Sequence, residues 1–136
     1  MAATISEIRE AFEAVISVTG LRVLGTWPDT VVGDCCVLVP VSGDFHFTFD
    51  TKAAIHHMAL TVLVTVGAGL DKAQDRMDGY LSTDGATSIQ QRLVTNHTLG
   101  GVIDDSLVHG YSAYGTVKTE SGAEWLSARM ELEFWV

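Results

Sequence analysis

The stretch 124–136 constrains the fold more than any other part of the chain. From Glu124 onward apolar and polar positions alternate without a break. Leu126, Ala128, Met130, Leu132, Phe134 and Val136 fall on one side, and Trp125, Ser127, Arg129, Glu131, Glu133 and Trp135 on the other. A period of two is that of a β-strand with one face toward a core. Such a strand needs neighbours for its backbone groups and a cover for its apolar side. The preceding segment, Leu107 to Lys118, supplies a neighbour: Thr119 to Ala123, around Ser121-Gly122, reads as the turn of a hairpin. Gly110 and Gly115 mark points of bulging or close backbone approach.

Further strands come earlier. His57 to Val66 puts Met58, Leu60, Val62, Val64 and Val66 on one face and His57, Ala59, Thr61, Leu63 and Thr65 on a mixed face, the pattern of a central strand. Cys35 to Val41 is apolar and β-branched. Ser42-Gly43-Asp44 is predicted to turn the chain before Phe45, Phe47 and Phe49, which alternate with His46 and Thr48. Leu21 to Leu24 is a short strand candidate, followed by a turn at Trp27-Pro28-Asp29.

The cover comes from helices. Thr4 to Val18 carries Ile5, Ile8, Phe12, Val15 and Ile16 at helical spacing, with Thr4 and Glu7 as a capping box and Gly20 as the stop. Asp71 to Leu81 is a second helix, with Asp71 and Gln74 as a capping pair and Ala73, Met77, Tyr80 and Leu81 on one side. After a turn at Ser82-Thr83-Asp84-Gly85, Ser88 to Asn96 forms a short third helix capped by Thr87 and Gln90 and ended by Leu99-Gly100-Gly101. One helix, several strands, two helices and two strands make an α+β domain spanning residues 1–136. The expected sheet is mixed and mainly antiparallel, with the helices packed on one face.

Charge excludes some functions. Acidic residues number 17 against 8 basic, a net charge of −9, and the basic residues form no cluster in sequence. A protein that grips nucleic acid needs such a cluster. No basic n-region precedes an apolar run near Met1, and the longest apolar stretch, Met58 to Leu70, is interrupted by Thr61, Thr65, Gly67 and Gly69. Neither a signal peptide nor a membrane span is expected. Cys35 and Cys36 are adjacent, so on a strand they point apart and read as two free thiols of a reducing compartment.

No motif carries chemistry. His56 and His57 lack a Cys or acidic residue at metal-ligand spacing, and His46, His97 and His109 stand alone. The cysteines lie in an apolar strand pattern, where thiols are packing groups. There is no G-x-S-x-G elbow, P-loop or G-x-G-x-x-G. Asp104 and Asp105 read as solvated loop acids. No catalytic residue, cofactor or metal site is assigned. Trp125 and Trp135 sit on the polar side of the last strand; they either anchor a subunit interface or lie under a cover within the chain. Trp27, Phe45, Phe47 and Phe49 pose the same choice.

Several pieces, in order, resemble a known family: the N-terminal helix; Trp27-Pro28-Asp29 before Thr30-Val31-Val32; Phe45 to Asp50; Ala59 to Val64; Ala73-Gln74-Asp75-Arg76-Met77-Asp78-Gly79-Tyr80-Leu81; Ser88 to Leu93; Thr98 to Asp105; Tyr114-Gly115; and Trp125 to Leu132. Together they resemble the tail terminator proteins of long-tailed bacteriophages, especially those of actinobacteria. The likeness covers most of the chain, and its most distinctive block runs from Ala73 to Asp105. It implies a structural virion protein, made in the host cytoplasm, without catalytic residues. The subunits would form a ring, usually a hexamer, at the head-proximal end of the tail. That ring would end polymerisation of the major tail tube protein and receive the head-completion or stopper protein. DNA would pass through its lumen without sequence-specific binding. An acidic lumen would repel phosphates and let the genome slide; the loop acids Asp84, Asp104, Asp105 and Glu120 are the expected lining. The alternatives are another neck protein or, from a different class, a small enzyme or ligand-binding domain with a polar pocket built from His57, Asp104 and Tyr111.

Overall fold

A computed structural model describes residues 3–25, 33–47, 52–67, 69–118 and 124–136, with backbone alone at Val18, His46, Phe47 and Lys52. The expected turn at Trp27-Pro28-Asp29, Phe49, Glu120 and the turn 119–123 lie outside the described residues. The described elements are α1 (Ile5–Ile16), β1 (Arg22–Leu24), β2 (Cys35–Phe47), β3 (Lys52–Thr65), α2 (Leu70–Leu81), α3 (Ile89–Thr95), β4 (Asp105–Lys118) and β5 (Glu124–Trp135). They form one five-stranded sheet in the order β1-β2-β3-β5-β4. Only β1 and β2 are parallel; the other neighbours are antiparallel. The α+β class, the mixed and mainly antiparallel sheet and the helices on one face are as the sequence predicts.

Alternation decides which side the helices cover. Cys36, Val62 and Ala128 stand in one row across the sheet, Leu38, Leu60 and Met130 in the next, and Pro40, Met58 and Leu132 beyond. With Val64, Leu126 and Phe134 these positions, apart from the exposed Pro40, meet Ile8, Phe12 and Ile16 of α1, Ala73 and Met77 of α2, and Ile89 and Leu93 of α3 in one core. Phe12 and Phe134 pack edge to face, 6.1 Å between centroids, both fully buried. Burying such a side chain contributes about 1.5–3 kcal/mol.

Caps fix the helix starts. Thr4 Oγ1 accepts the Glu7 amide at 3.2 Å, and Gly20 ends the 3-10 turn after α1 at φ +90°, as a left-handed stop. Two caps differ from expectation. Asp71 already lies inside α2, whose N-cap is Gly69 at φ +114° with no side-chain bond; this backbone conformation suits glycine. For α3 the cap is Ser88 rather than Thr87. Its fully buried hydroxyl accepts the Gln91 amide at 3.1 Å and donates to the Ser82 carbonyl, so it joins two elements.

The expected turn at Ser42-Gly43-Asp44 is a continuous part of β2. These residues pair with His57, His56 and Ile55, and the irregularity is a register shift between Pro40 and Ser42. Polar, turn-favouring residues are tolerated because, among the described residues, no strand pairs with the other side of this part of β2. Pro40, which lacks an N–H, belongs there for the same reason. The glycines of β4 behave as predicted: register shifts fall between Val108 and Gly110 and between Ser112 and Gly115.

Candidate functional site

The side of the sheet away from the helices has two halves. Near the β1 end, Cys35, Val37, Leu63 and Trp125 form a small second cluster, with Leu24 packed against it. Adjacent cysteines thus divide between two cores, Cys36 facing the helices and Cys35 facing away. Both are free and buried, and burial raises both thiols above their ordinary range, with Arg22 opposing the rise at Cys35. Neither is poised as a thiolate.

The other half is polar. His57 Nε2 lies 3.1 Å from Asp44 Oδ2, and its Nδ1 lies 3.3 Å from Glu133 Oε1. His109 Nε2 reaches the same Glu133 oxygen at 2.9 Å. Four titratable groups from β2, β3, β5 and β4 therefore stand in one row. Register builds it: His57 is the direct partner of Ser42 on one side and Glu133 on the other, and His109 is the extra residue at the bulge between Val108 and Gly110. The row borders a shallow depression of about 340 Å³ lined in part by Val41, Ser42, Arg129 and Glu131. Ser42 and His57 share this lining, yet both His57 nitrogens are engaged by carboxylates, leaving none to activate the hydroxyl. Among the described residues no group of three or more His, Cys, Asp or Glu could hold a metal ion. A pocket of His57, Asp104 and Tyr111 is not assembled. Tyr111 partners Met130 and so stands on the opposite side of the sheet from His57, and Asp104 does not line the depression.

A second polar cluster fastens α2 to the sheet. The Asp34 carboxylate accepts Arg76 Nε at 2.9 Å, the Tyr80 hydroxyl at 2.8 Å and the Thr65 amide at 3.3 Å; Arg76 Nη2 also donates to the Thr65 carbonyl at 2.7 Å. Burial, and then the bond to Asp34, push the Tyr80 phenol well above its ordinary range. Tyr114 donates to Asp78 at 2.9 Å, tying β4 to α2; burial and Asp78 raise this phenol to about 12.

The sheet's borders carry most of the apolar exposure. Of ten exposed large apolar side chains among the described residues, three lie on β2 (Val39, Val41 and Phe45) and four on β4 (Leu107, Tyr111, Tyr114 and Val117). In a water-exposed strand, large apolar patches of this kind mark contacts with something else.

The residues singled out in the sequence scatter across this frame. Phe45 is 64% exposed and meets His56 edge to face. Phe47 is the backbone partner of Lys52. Trp125 does not belong with exposed aromatic anchors: it is buried within the chain, in the small second cluster, because the far side of the sheet has its own apolar end. Its Nε1 is buried and has no hydrogen-bond partner among the described residues. Trp135 is half-buried at the end of β5, and its carbonyl accepts the Asp104 amide at 2.8 Å. Trp27 lies outside the described residues. Among the expected lumen acids, Asp84, Asp104 and Asp105 are all exposed. Asp84 stands in the α2–α3 turn. Asp105, rather than being a loop acid, opens β4 and receives His97 Nδ1 at 3.1 Å. The sequence reading missed the Asp34 cluster and the histidine–carboxylate row. Both join residues from separate elements, and only the cross-strand register could have exposed the second. Set against known proteins, the sequence matches no family model, and no curated protein matches it.

Proposed function

We propose that the chain acts by assembly, as a tail terminator subunit of a long-tailed bacteriophage. Copies would form a ring, with six as the number the resemblance implies, on the head-proximal end of the tail tube. The ring would stop addition of the major tail tube protein and present a surface to the head-completion or stopper protein, with DNA passing through. The carrying observation is the concentration of exposed apolar side chains on β4, an outer strand, and on β2, which β1 pairs with only from Cys35 to Val37. A chain that worked alone in water would keep such strands charged or covered. The ordered likeness from Ala73 to Asp105 supports the terminator over other neck proteins, and the net charge of −9 suits a ring that DNA must slide through.

The test is the mass of the protein in solution, alone and mixed with tail tube subunits, followed by electron microscopy of the large species. Closed rings, or tubes capped at one end with uniform appearance, are the expected result. A chain that stays monomeric and ignores tube subunits would overturn the reading and return attention to the depression beside His57. Assembly with a stopper protein while tube subunits are ignored would move the chain to another place in the neck.

A further inference from the structure

We propose that the turn between α2 and α3 is a modification site, where the folded chain converts Asp84 to isoaspartate by attack of the Gly85 amide on the Asp84 carboxyl. The reaction uses water alone and needs no partner copy.

An aspartate followed by glycine is the pair best suited to this chemistry, because glycine leaves its own amide nitrogen unshielded and its backbone free to turn. The chain has two such pairs, Asp78-Gly79 and Asp84-Gly85. Only the second is arranged for reaction. The Gly85 N–H donates to Asp84 Oδ1 at 2.8 Å, so the nitrogen that must attack already rests against the carboxyl that it attacks. Asp84, Gly85 and Ala86 are all exposed, so water reaches the turn. Gly85 stands at φ +114°, and a side chain built there would meet nothing within 4 Å, so the backbone has room to rotate into a ring.

The same turn carries an activating group. The Ser82 hydroxyl lies 2.6 Å from the Asp84 carbonyl oxygen and 2.9 Å from that of Gly79. The Asp84 carbonyl is the other end of the amide whose nitrogen attacks. A hydroxyl donated to that oxygen stabilises the negative charge that spreads onto it as the N–H proton leaves.

Two other aspartates lack one part each of this arrangement. Gly79 lies inside α2, where its N–H belongs to the helical ladder, and Asp78 Oδ1 instead accepts the Tyr114 hydroxyl at 2.9 Å. A Cβ at Gly79 would lie 2.7 Å from Thr87 Oγ1, so this glycine is packed and cannot swing. Asp105 makes the same contact as Asp84, Oδ1 taking the Ser106 amide at 2.8 Å. There the next residue has a side chain, both residues are paired with β5, and His97 Nδ1 lies 3.1 Å from the same oxygen.

The bonds balance without an oxidant or reductant. The Gly85 nitrogen bonds to Cγ of the protonated Asp84 carboxyl, the amide proton goes to solvent, and the carboxyl hydroxyl leaves as water. The resulting cyclic imide is lighter than the chain by one water. A water molecule then opens it. Cleavage at the Cγ side restores Asp84; cleavage at the original main-chain carbonyl leaves the backbone running through Cβ and Cγ, with a free carboxylate on Cα. The second product has the mass and net charge of the starting chain and one more atom in the backbone of the turn.

The experiment ages the folded chain in warm neutral buffer, digests it, and separates isoaspartyl from aspartyl peptides by chromatography and electron-transfer mass spectrometry. Because a misplacement of about 1 Å can cost about a hundredfold in rate, conversion at Asp84 should exceed that at Asp78 by about tenfold or more. In guanidinium the two Asp-Gly pairs should convert at similar rates, since neither turn nor helix remains. An isoaspartyl methyltransferase should label aged wild-type chain and leave aged Asp84→Ser nearly unlabelled. Ser82→Ala, with its fold verified by circular dichroism, should slow Asp84 in the folded chain and not in guanidinium. Equal conversion at Asp78 and Asp84 in the folded chain, no conversion at Asp84 while the unfolded chain converts, or full labelling of Asp84→Ser would overturn the site. An unchanged folded rate in Ser82→Ala would overturn the part assigned to that hydroxyl.

Discussion

On its helix side, β3 presents Met58, Leu60, Val62 and Val64, none more than 1% exposed; on its other side it presents His57, Ala59, Thr61 and Leu63, of which only Leu63 is as deeply buried. The two faces share one backbone and one alternation, yet they differ in what completes them. The helix side is completed by α1, α2 and α3 of the same chain. Among the described residues the far side has an apolar cluster near Trp125 and, at the other end, the row Asp44, His57, Glu133 and His109. A face completed from within should resist change in proportion to the volume it loses. A face without such a cover should tolerate change in the isolated chain.

The strongest way to break the comparison is Phe134→Ala. Phe134 is fully buried against Phe12, and its loss opens a cavity between sheet and α1. The expected cost is about 3–5 kcal/mol, read as a drop in the urea midpoint with unchanged slope. A cost under about 1 kcal/mol would mean that the helices do not close this face as described. Next comes Asp34→Ala, which strips the partner from Arg76, Tyr80 and the Thr65 amide. Leaving buried donors unsatisfied costs about 1–3 kcal/mol; Arg76 is partly exposed and regains water, so about 2 kcal/mol is expected. Calorimetry would check it, and an unchanged melting temperature would show that α2 is held by apolar contacts alone.

The same contrast explains what was legible in the sequence. Periodicity reports burial by a chain's own elements, so α1, the central strand and the β4–β5 hairpin could be read from spacing. It reported nothing at Asp34, because three donors reach that carboxylate from residues 31, 42 and 46 positions away. It failed at Ser42-Gly43-Asp44 because these turn-favouring residues pair with His57, His56 and Ile55 as strand residues. Trp125 was ambiguous for a related reason: alternation placed it on the polar side but could not say that this side has an apolar end. The row at His57 needed a register and a bulge position, and neither is written in the local composition.

A pH series sharpens the comparison at one pair of neighbours. His56 is buried on the helix side, and burial, with His57 adding to it, lowers its pKa below the ordinary value of about 6.5. The unfolded chain therefore binds this proton at a pH where the folded chain does not. The contribution of a neutral His56 is whole above the unfolded value and is lost as the pH falls through it toward the folded one. Urea midpoints should fall between about pH 7.5 and pH 5.5, and His56→Gln should flatten that fall. An equal slope in the variant would place the pH sensitivity elsewhere.

His57→Gln, one residue away, should have the smallest effect. The glutamine amide can still donate toward the half-buried Glu133, and the contact with Asp44 that it replaces lies between groups open to water, where such contacts are worth little. The expected change in the stability of the single chain is within about 0.5 kcal/mol. Wild-type and variant chains should therefore melt together. Should His57→Gln unfold the chain, the row would be part of what holds β2, β3 and β5 in register, and the far face would be completed from within after all.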